Sequence, residues 1–217
     1  MCFSLGGAWG LYICIFKLLM LYQIILFLTL CISVVAFSSA RFKHMLIGHP
    51  YSIYVNGEWY RILTSGFIHL DVMHLFFNLY SLFSFASMLD SCLERQGGRL
   101  FAEMIFFLVY IGGILTANLV SYYMYKTDYN YFHLGASAGV AAVMAGAILC
   151  APHQIGVRFL FFPGMGIPGI IFLPLYLLYS FMASGRHSRI GHMAHFVGGI
   201  YGLVIMLIVR WREIFMK

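Results

Sequence analysis

Long apolar stretches without charge leave this chain few ways to fold. Six segments contain no Asp, Glu, Lys or Arg, at positions 18–40, 72–89, 104–125, 129–157, 159–185 and 190–209. Crossing about 30 Å of hydrocarbon takes roughly 20 apolar residues wound as a helix, which satisfies its own backbone hydrogen bonds. The segments are near or above that length, so the expected fold is an all-α membrane protein, a bundle of six transmembrane helices. They are spread from one end of the 217 residues to the other, which predicts one membrane domain over 1–217. A mean hydropathy of +0.90 and a charged fraction of 9% lie well outside the range of soluble domains.

The 13 basic and 7 acidic residues give a net charge of +6, but the basic residues are scattered from loop to loop. That distribution suits contacts with lipid head groups of the bilayer and does not form a nucleic-acid surface. With six passes, Arg95, Arg99, Arg158, Arg210, Arg212 and Lys217 fall on one side of the membrane. Arg41, Lys43, Arg61, Lys126, Arg186 and Arg189 fall on the other. The positive-inside rule therefore leaves the orientation open, and the identity of the membrane is open as well. Cys2, Cys14, Cys31, Cys92 and Cys150 are dispersed with no C-x-x-C spacing, and are expected as buried free thiols.

The longest connection, 41–70, holds His49-Pro50, Asn56-Gly57 and Trp59-Tyr60. It is too interrupted to span and too apolar for a free linker, so it is expected partly in the membrane interface, with Arg61 snorkelling to the surface. The charges of 90–99, followed by Gly97-Gly98, read as a helix end and a tight turn. After Pro152, several glycines and prolines break the chain before a helix of about 170–183 that carries Pro174.

Polar side chains inside spans are costly unless they are paired or face water, so they point to function. His74 and Asn78 are four residues apart and share a helix face. Ser137 lies among Gly135, Ala138, Gly139, Ala141 and Ala142, on a helix able to press its backbone against a neighbour. His195, Gly198, Gly199 and Gly202 follow i, i+3, i+4, i+7 spacing on one stripe. Two such helices packed closely bring Ser137 to His195. A serine hydroxyl becomes a nucleophile when a base takes its proton, and neutral imidazole suits that task near pH 7. Asn78, His74 and the Ser137 backbone N–H are candidate donors to the oxyanion. No acid lies in the motifs around Ser137 and His195, which favours a dyad over a triad. His192, three residues before His195, competes for the role of base. His69 reads as a structural hydrogen-bonder to the first loop. Its spacing of five from His74 does not suit a pair of metal ligands, and no metal site is expected.

At these residues the chain resembles the rhomboid family of intramembrane serine proteases. The resemblance covers 58–202 and keeps the order of the family's motifs: Trp59 and Arg61, His-x-x-x-Asn at His74 and Asn78, Gly-x-Ser at Gly135 and Ser137, and Ala-His-x-x-Gly-x-x-x-Gly at Ala194, His195, Gly198 and Gly202. It implies Ser137 as nucleophile, His195 as general base, and Asn78 and His74 on the oxyanion side. It also implies a six-helix rhomboid-like fold, a water-filled cavity below the membrane surface, single-span membrane proteins as substrates, and no cofactor. The family usually has glycine directly after the serine. Here Ala138 stands there, and Gly139 is expected to restore the close helix approach one residue later. The rival expectation is a catalytically inactive rhomboid-like protein that binds transmembrane helices for quality control. A transporter fits less well, because acidic residues within the spans are scarce.

Overall fold

The computed structural model describes residues 20–153, 156–159, 162–184 and 191–211. Cys2, Cys14, Arg186, Arg189, Arg212, Lys217 and the first two positions of the 18–40 segment lie outside the described residues, as does the Arg158 side chain. The elements in chain order are α1 (Leu21–Ser38), α2 (Ala40–Leu46), α3 (Pro50–Asn56), α4 (Arg61–Thr64), a 3-10 turn (Ser65–Phe67) and α5 (Val72–Tyr125). They continue with α6 (Ser137–Cys150), the hairpin β1 (Gly156–Phe159) and β2 (Phe162–Pro168), α7 (Gly169–Met182) and α8 (His192–Val209). Among these, α1, α5 and α8 are long and apolar enough to cross a membrane, while α6 and α7 are apolar helices of 14 residues each. The chain is an integral multi-pass membrane protein.

Helix α5 is two arms. At Gly98 the backbone turns to φ 80, ψ 176, a conformation open to glycine because it has no Cβ, and the helix reverses there as the Gly97-Gly98 pair suggested. Apolarity overstated the next two segments. Helix α6 fills only part of 129–157, because residues before it are tied down as loop: Gly48 and His133 exchange backbone hydrogen bonds of 3.0 and 2.9 Å, and the Gly135 N–H donates to the Ser65 carbonyl at 2.9 Å. Within 159–185, β2 occupies the first part and the helix begins only at Gly169, after Pro168.

The first arm of α5, its second arm, α6 and α8 meet in one core with α1. Leu82, Ala86, Leu89, Phe106, Tyr110, Val143 and Met206 are among its buried residues. The tightest seam is between α6 and α8. A Cβ built on Gly198 would stand 2.2 Å from the Ala138 carbonyl oxygen, and one on Gly202 would stand 2.1 Å from that of Ala142. Backbone therefore lies on backbone, as small-residue stripes permit. Gly199 faces another neighbour, the Leu177 side chain of α7. Gly139 packs against Tyr110, so it does not substitute for a glycine at 138 toward α8. The close α6–α8 approach is made with Ala138 in place.

Two features depart from the sequence expectations. Cys92 and Cys150 form a disulfide, with their Cα atoms 6.3 Å apart across 58 residues of sequence, whereas Cys31 is free and exposed. Arg61 does not snorkel. It is buried and donates from Nη1 to the carbonyls of His44 and Ile47 at 2.8 and 2.9 Å, while its Nε pairs with Glu58. A guanidinium has five donors in a rigid fork, and here it serves as the internal peg of the 41–70 loop.

The loops also hold two neutral histidines. Burial, reinforced by the neighbouring His74, pulls His69 down to about 3. Burial, with His49 beside it, pulls His133 down to about 4. The His133 ring nitrogens are sealed from solvent and without a hydrogen-bond partner, although the residue as a whole is only half-buried.

Filling the seam is expected to separate the helices. Gly202→Val should lower the unfolding midpoint in mild detergent, corresponding to a loss of ~1–3 kcal/mol or more. The histidines predict a pH dependence. Their folded pKa values lie below the unfolded value of 6.5, so the unfolded chain binds protons first on acidification. Their contribution is present above pH ~6.5 and is lost as the pH falls toward 4 and then 3. Thermal unfolding should occur at a lower temperature at about pH 4.5 than at about pH 7.5. His133→Gln should flatten that slope.

Candidate active site

Ser137 is the first residue of α6, directly after the turn Gly135-Ala136. Gly135 has φ 119, a conformation that L side chains rarely adopt, and a Cβ there would stand 2.8 Å from the His74 ring. Glycine is thus required twice at this corner, for the backbone and for the space. Because α6 starts at Ser137, the Ser137 N–H is a first-turn donor with no acceptor inside the helix, at the positive end of the helix dipole.

Helix packing sets the level of the histidine. Gly198 lies on Ala138 and Gly202 on Ala142, so α6 and α8 run parallel with a constant offset in numbering. In that register His195 lies opposite position 135, two residues from the level of Ser137, or ~3 Å along the axis at 1.5 Å per residue. His192 lies five residues away, ~7.5 Å, so His195 is the nearer of the two to the level of Ser137. Both rings line the same cavity, 6.1 Å apart between centroids and edge to face. Tyr176 of α7 lies nearly parallel to the His195 ring at 6.3 Å, and His192 meets Tyr179 at 5.4 Å.

The opposite wall comes from the start of α5. Asp71 caps that helix by accepting from the His74 N–H at 2.8 Å. The Leu70 N–H approaches His74 Nδ1 at 3.5 Å. Nδ1 is therefore the acceptor, and Nε2 carries the ring proton on the side where the ring meets Gly135. Asn78 Nδ2 donates one hydrogen to the His74 carbonyl at 2.9 Å and keeps a second.

These side chains surround one cavity of about 850 Å³, lined by Ser137, His195, His192, His74, Asn78 and Asp71 among others. Phe85, Met144, Phe172 and Tyr176 supply apolar wall, and Leu70 and Asp71 on its rim are exposed. Asp71 is the one carboxylate on the described wall, where it caps α5 and its charge also acts on the His74 and His69 imidazoles. Among the described hydrogen bonds none joins Ser137 to His195, and unliganded sites often tighten only around substrate.

The other sequence candidates lie away from the cavity wall. Trp59 is half-exposed, with its ring 5.1 Å from that of Tyr122, and Arg61 pegs the first loop. Gly139, Gly198 and Gly202 act through helix packing. Sequence reasoning missed Tyr176, which carries no motif, and the hydrogen bond from the Ala136 N–H to His69 Nε2 at 3.4 Å, which joins residues far apart in the chain.

Comparison with known proteins identifies the family. Residues 56–212 match the family described as Rhomboid domain. Over 190 residues the chain is 30% identical to the Bacillus subtilis (strain 168) protein named "Putative rhomboid protease YdcA", covering 86% of this chain and 85% of that one. It is 24% identical over 150 residues to "Rhomboid protease GluP" of the same organism, covering 69% of this chain but only 26% of GluP's length. The family match covers most of the sequence and the first of these relatives is 30% identical over 86% of it, so the chain belongs to the rhomboid family.

Proposed function

We propose that this protein is an intramembrane serine endopeptidase that cleaves transmembrane or juxtamembrane segments of single-span membrane proteins through a Ser137–His195 dyad. The observation that carries the reading is the meeting of Ser137, His195, His74 and Asn78 on one cavity in a membrane-embedded chain. In this reading α1, the two arms of α5, α6, α7 and α8 make six membrane passes of a single domain.

The chemistry follows from the donors and acceptors. Neutral His195 takes the Ser137 hydroxyl proton while Oγ attacks the scissile carbonyl. The resulting oxyanion accepts from His74 Nε2–H, the second Asn78 Nδ2 hydrogen and the Ser137 N–H. Protonated His195 then gives its proton to the leaving amine. Water entering past Leu70 and Asp71 hydrolyses the acyl-enzyme, with His195 again as base. No cofactor takes part.

A peptide bond within a helix is shielded by its own backbone hydrogen bonds, so a substrate must unwind to reach Ser137. Segments weakened by Gly or Pro near the cut should therefore be cleaved faster than uniform Leu segments. Equal cleavage of the two would refute the unwinding step.

The direct test uses the chain purified in mild detergent with a transmembrane reporter substrate. Ser137→Ala and His195→Ala should each lower kcat by at least ~1000-fold. Asn78→Ala should lower it by ~100-fold. A folded native chain that cleaves no reporter in a varied panel, and that fails to label with a fluorophosphonate, would instead support a helix-binding role.

A further inference from the structure

Ser33 and His69 take no part in the reaction proposed above, yet their hydrogen bonds form a chain that ends beside the nucleophile. Ser33, on α1, and His69, in the turn before α5, are both 0% exposed. The Ser33 hydroxyl donates to the Phe67 carbonyl at 3.0 Å and also stands 2.8 Å from His69 Nδ1. A hydroxyl has one proton. The Ala136 N–H can only donate and is directed at His69 Nε2, so in the neutral ring Nδ1 carries the hydrogen, which Ser33 Oγ accepts while its own proton goes to Phe67. His69 Nε2 is left with its lone pair, and the Ala136 N–H donates to it at 3.4 Å. Ala136 is the residue before Ser137 and caps α6.

We propose that Ser33 is a positioning residue: it fixes His69 in the Nδ1–H tautomer, so that Nε2 holds the Ala136 N–H and with it the turn that presents Ser137. The opposite tautomer would set a ring N–H against a backbone N–H, two donors head to head in a buried place, and the turn would have to shift. Shifts of ~1 Å at a reacting group can reduce rates ~100-fold. The same ring stands edge to face with His74 at 5.0 Å, so His69 also braces an oxyanion donor. Through this chain α1, which contributes nothing to the cavity wall, is coupled to the nucleophile. The kinetic consequence rests on the protease reading, whereas the tautomer does not.

The experiment compares the full chain in mild detergent with Ser33→Ala, Ser33→Thr and His69→Gln. Long-range nitrogen–proton NMR spectra of the imidazoles give the tautomer directly, and the His69 signals are assigned by their loss in His69→Gln. The native chain should show His69 as Nδ1–H, and Ser33→Ala should shift it toward Nε2–H. With the reporter substrate, Ser33→Ala should lower kcat on the order of 10-fold with KM within about 2-fold, and Ser33→Thr should restore it. Gln offers an amide oxygen near the place of Nε2, so in the His69→Gln background Ser33→Ala should add little further loss. A native Nε2–H tautomer overturns the assignment, as does an undiminished kcat in folded Ser33→Ala or the same loss in both backgrounds. A native chain that cleaves nothing defeats the protease reading, while the NMR tautomer still decides the role of Ser33.

Discussion

The structure depends on one backbone contact, the seam where Gly198 and Gly202 of α8 lie on the carbonyls of Ala138 and Ala142 of α6. Lipid tails are as apolar as the helices, so the hydrophobic effect does little to join helices inside a bilayer. What remains is close van der Waals fit and weak Cα–H···O contact, both of which need the backbones within reach of each other. The seam fixes direction and register as well as distance. Because the two helices run parallel with a constant offset, the residues one turn above the first glycine contact are those that flank the cavity. A serine and a histidine about sixty residues apart become neighbours through that offset.

The nucleophile's own turn is held by a different set of forces. Three of the four loop residues 133–136 hang from separate anchors: His133 from Gly48, the Gly135 N–H from Ser65, and the Ala136 N–H from His69. Ser65 is itself gripped by the Asn118 amide, which donates to its hydroxyl at 3.1 Å and to the Ile62 carbonyl at 2.7 Å. The second arm of α5 therefore reaches the site through the 3-10 turn, and its last residue, Tyr125, also lines the cavity. The first loop has the same character, since a buried arginine spends its donors on that loop's carbonyls. Helix packing sets the coarse position, and backbone hydrogen bonds from loops set the fine one.

The parts of this arrangement that were legible in the sequence are the periodic ones. Glycines at i, i+3 and i+7 after His195 mark a packing stripe, and His74 with Asn78 marks a face, because 3.6 residues per turn turns spacing into direction. Gly97-Gly98 announced the reversal in α5. Apolarity was a poorer guide to where helices begin. Tyr129, Tyr131, Phe132 and Leu134 are compatible with lipid, so apolarity alone hides the loop at 129–136, although Asn130, His133 and Gly135 interrupt it. The hairpin was hidden for the same reason. The Cys92–Cys150 pair, the inward turn of Arg61 and the bonds of Ser33 are long-range facts, and none leaves a local pattern. Ser33 in particular reads as an isolated serine in an apolar helix until the fold brings His69 to it.

The disulfide has a consequence for the cell. Cys150 closes α6 at the end opposite Ser137, ~20 Å away along the helix, and Cys92 lies near the Gly98 reversal at that same end. In the proposed six-pass arrangement the cavity mouth and the sulfur pair face opposite sides of the membrane. Membranes commonly separate an oxidising compartment from a reducing one, and disulfides persist only in the former. The orientation that opens the cavity to the oxidising side exposes the cysteines to the reducing side, and the inverted orientation exchanges the two. The oxidation state of this pair in living cells would therefore report the topology that the charge pattern leaves undecided.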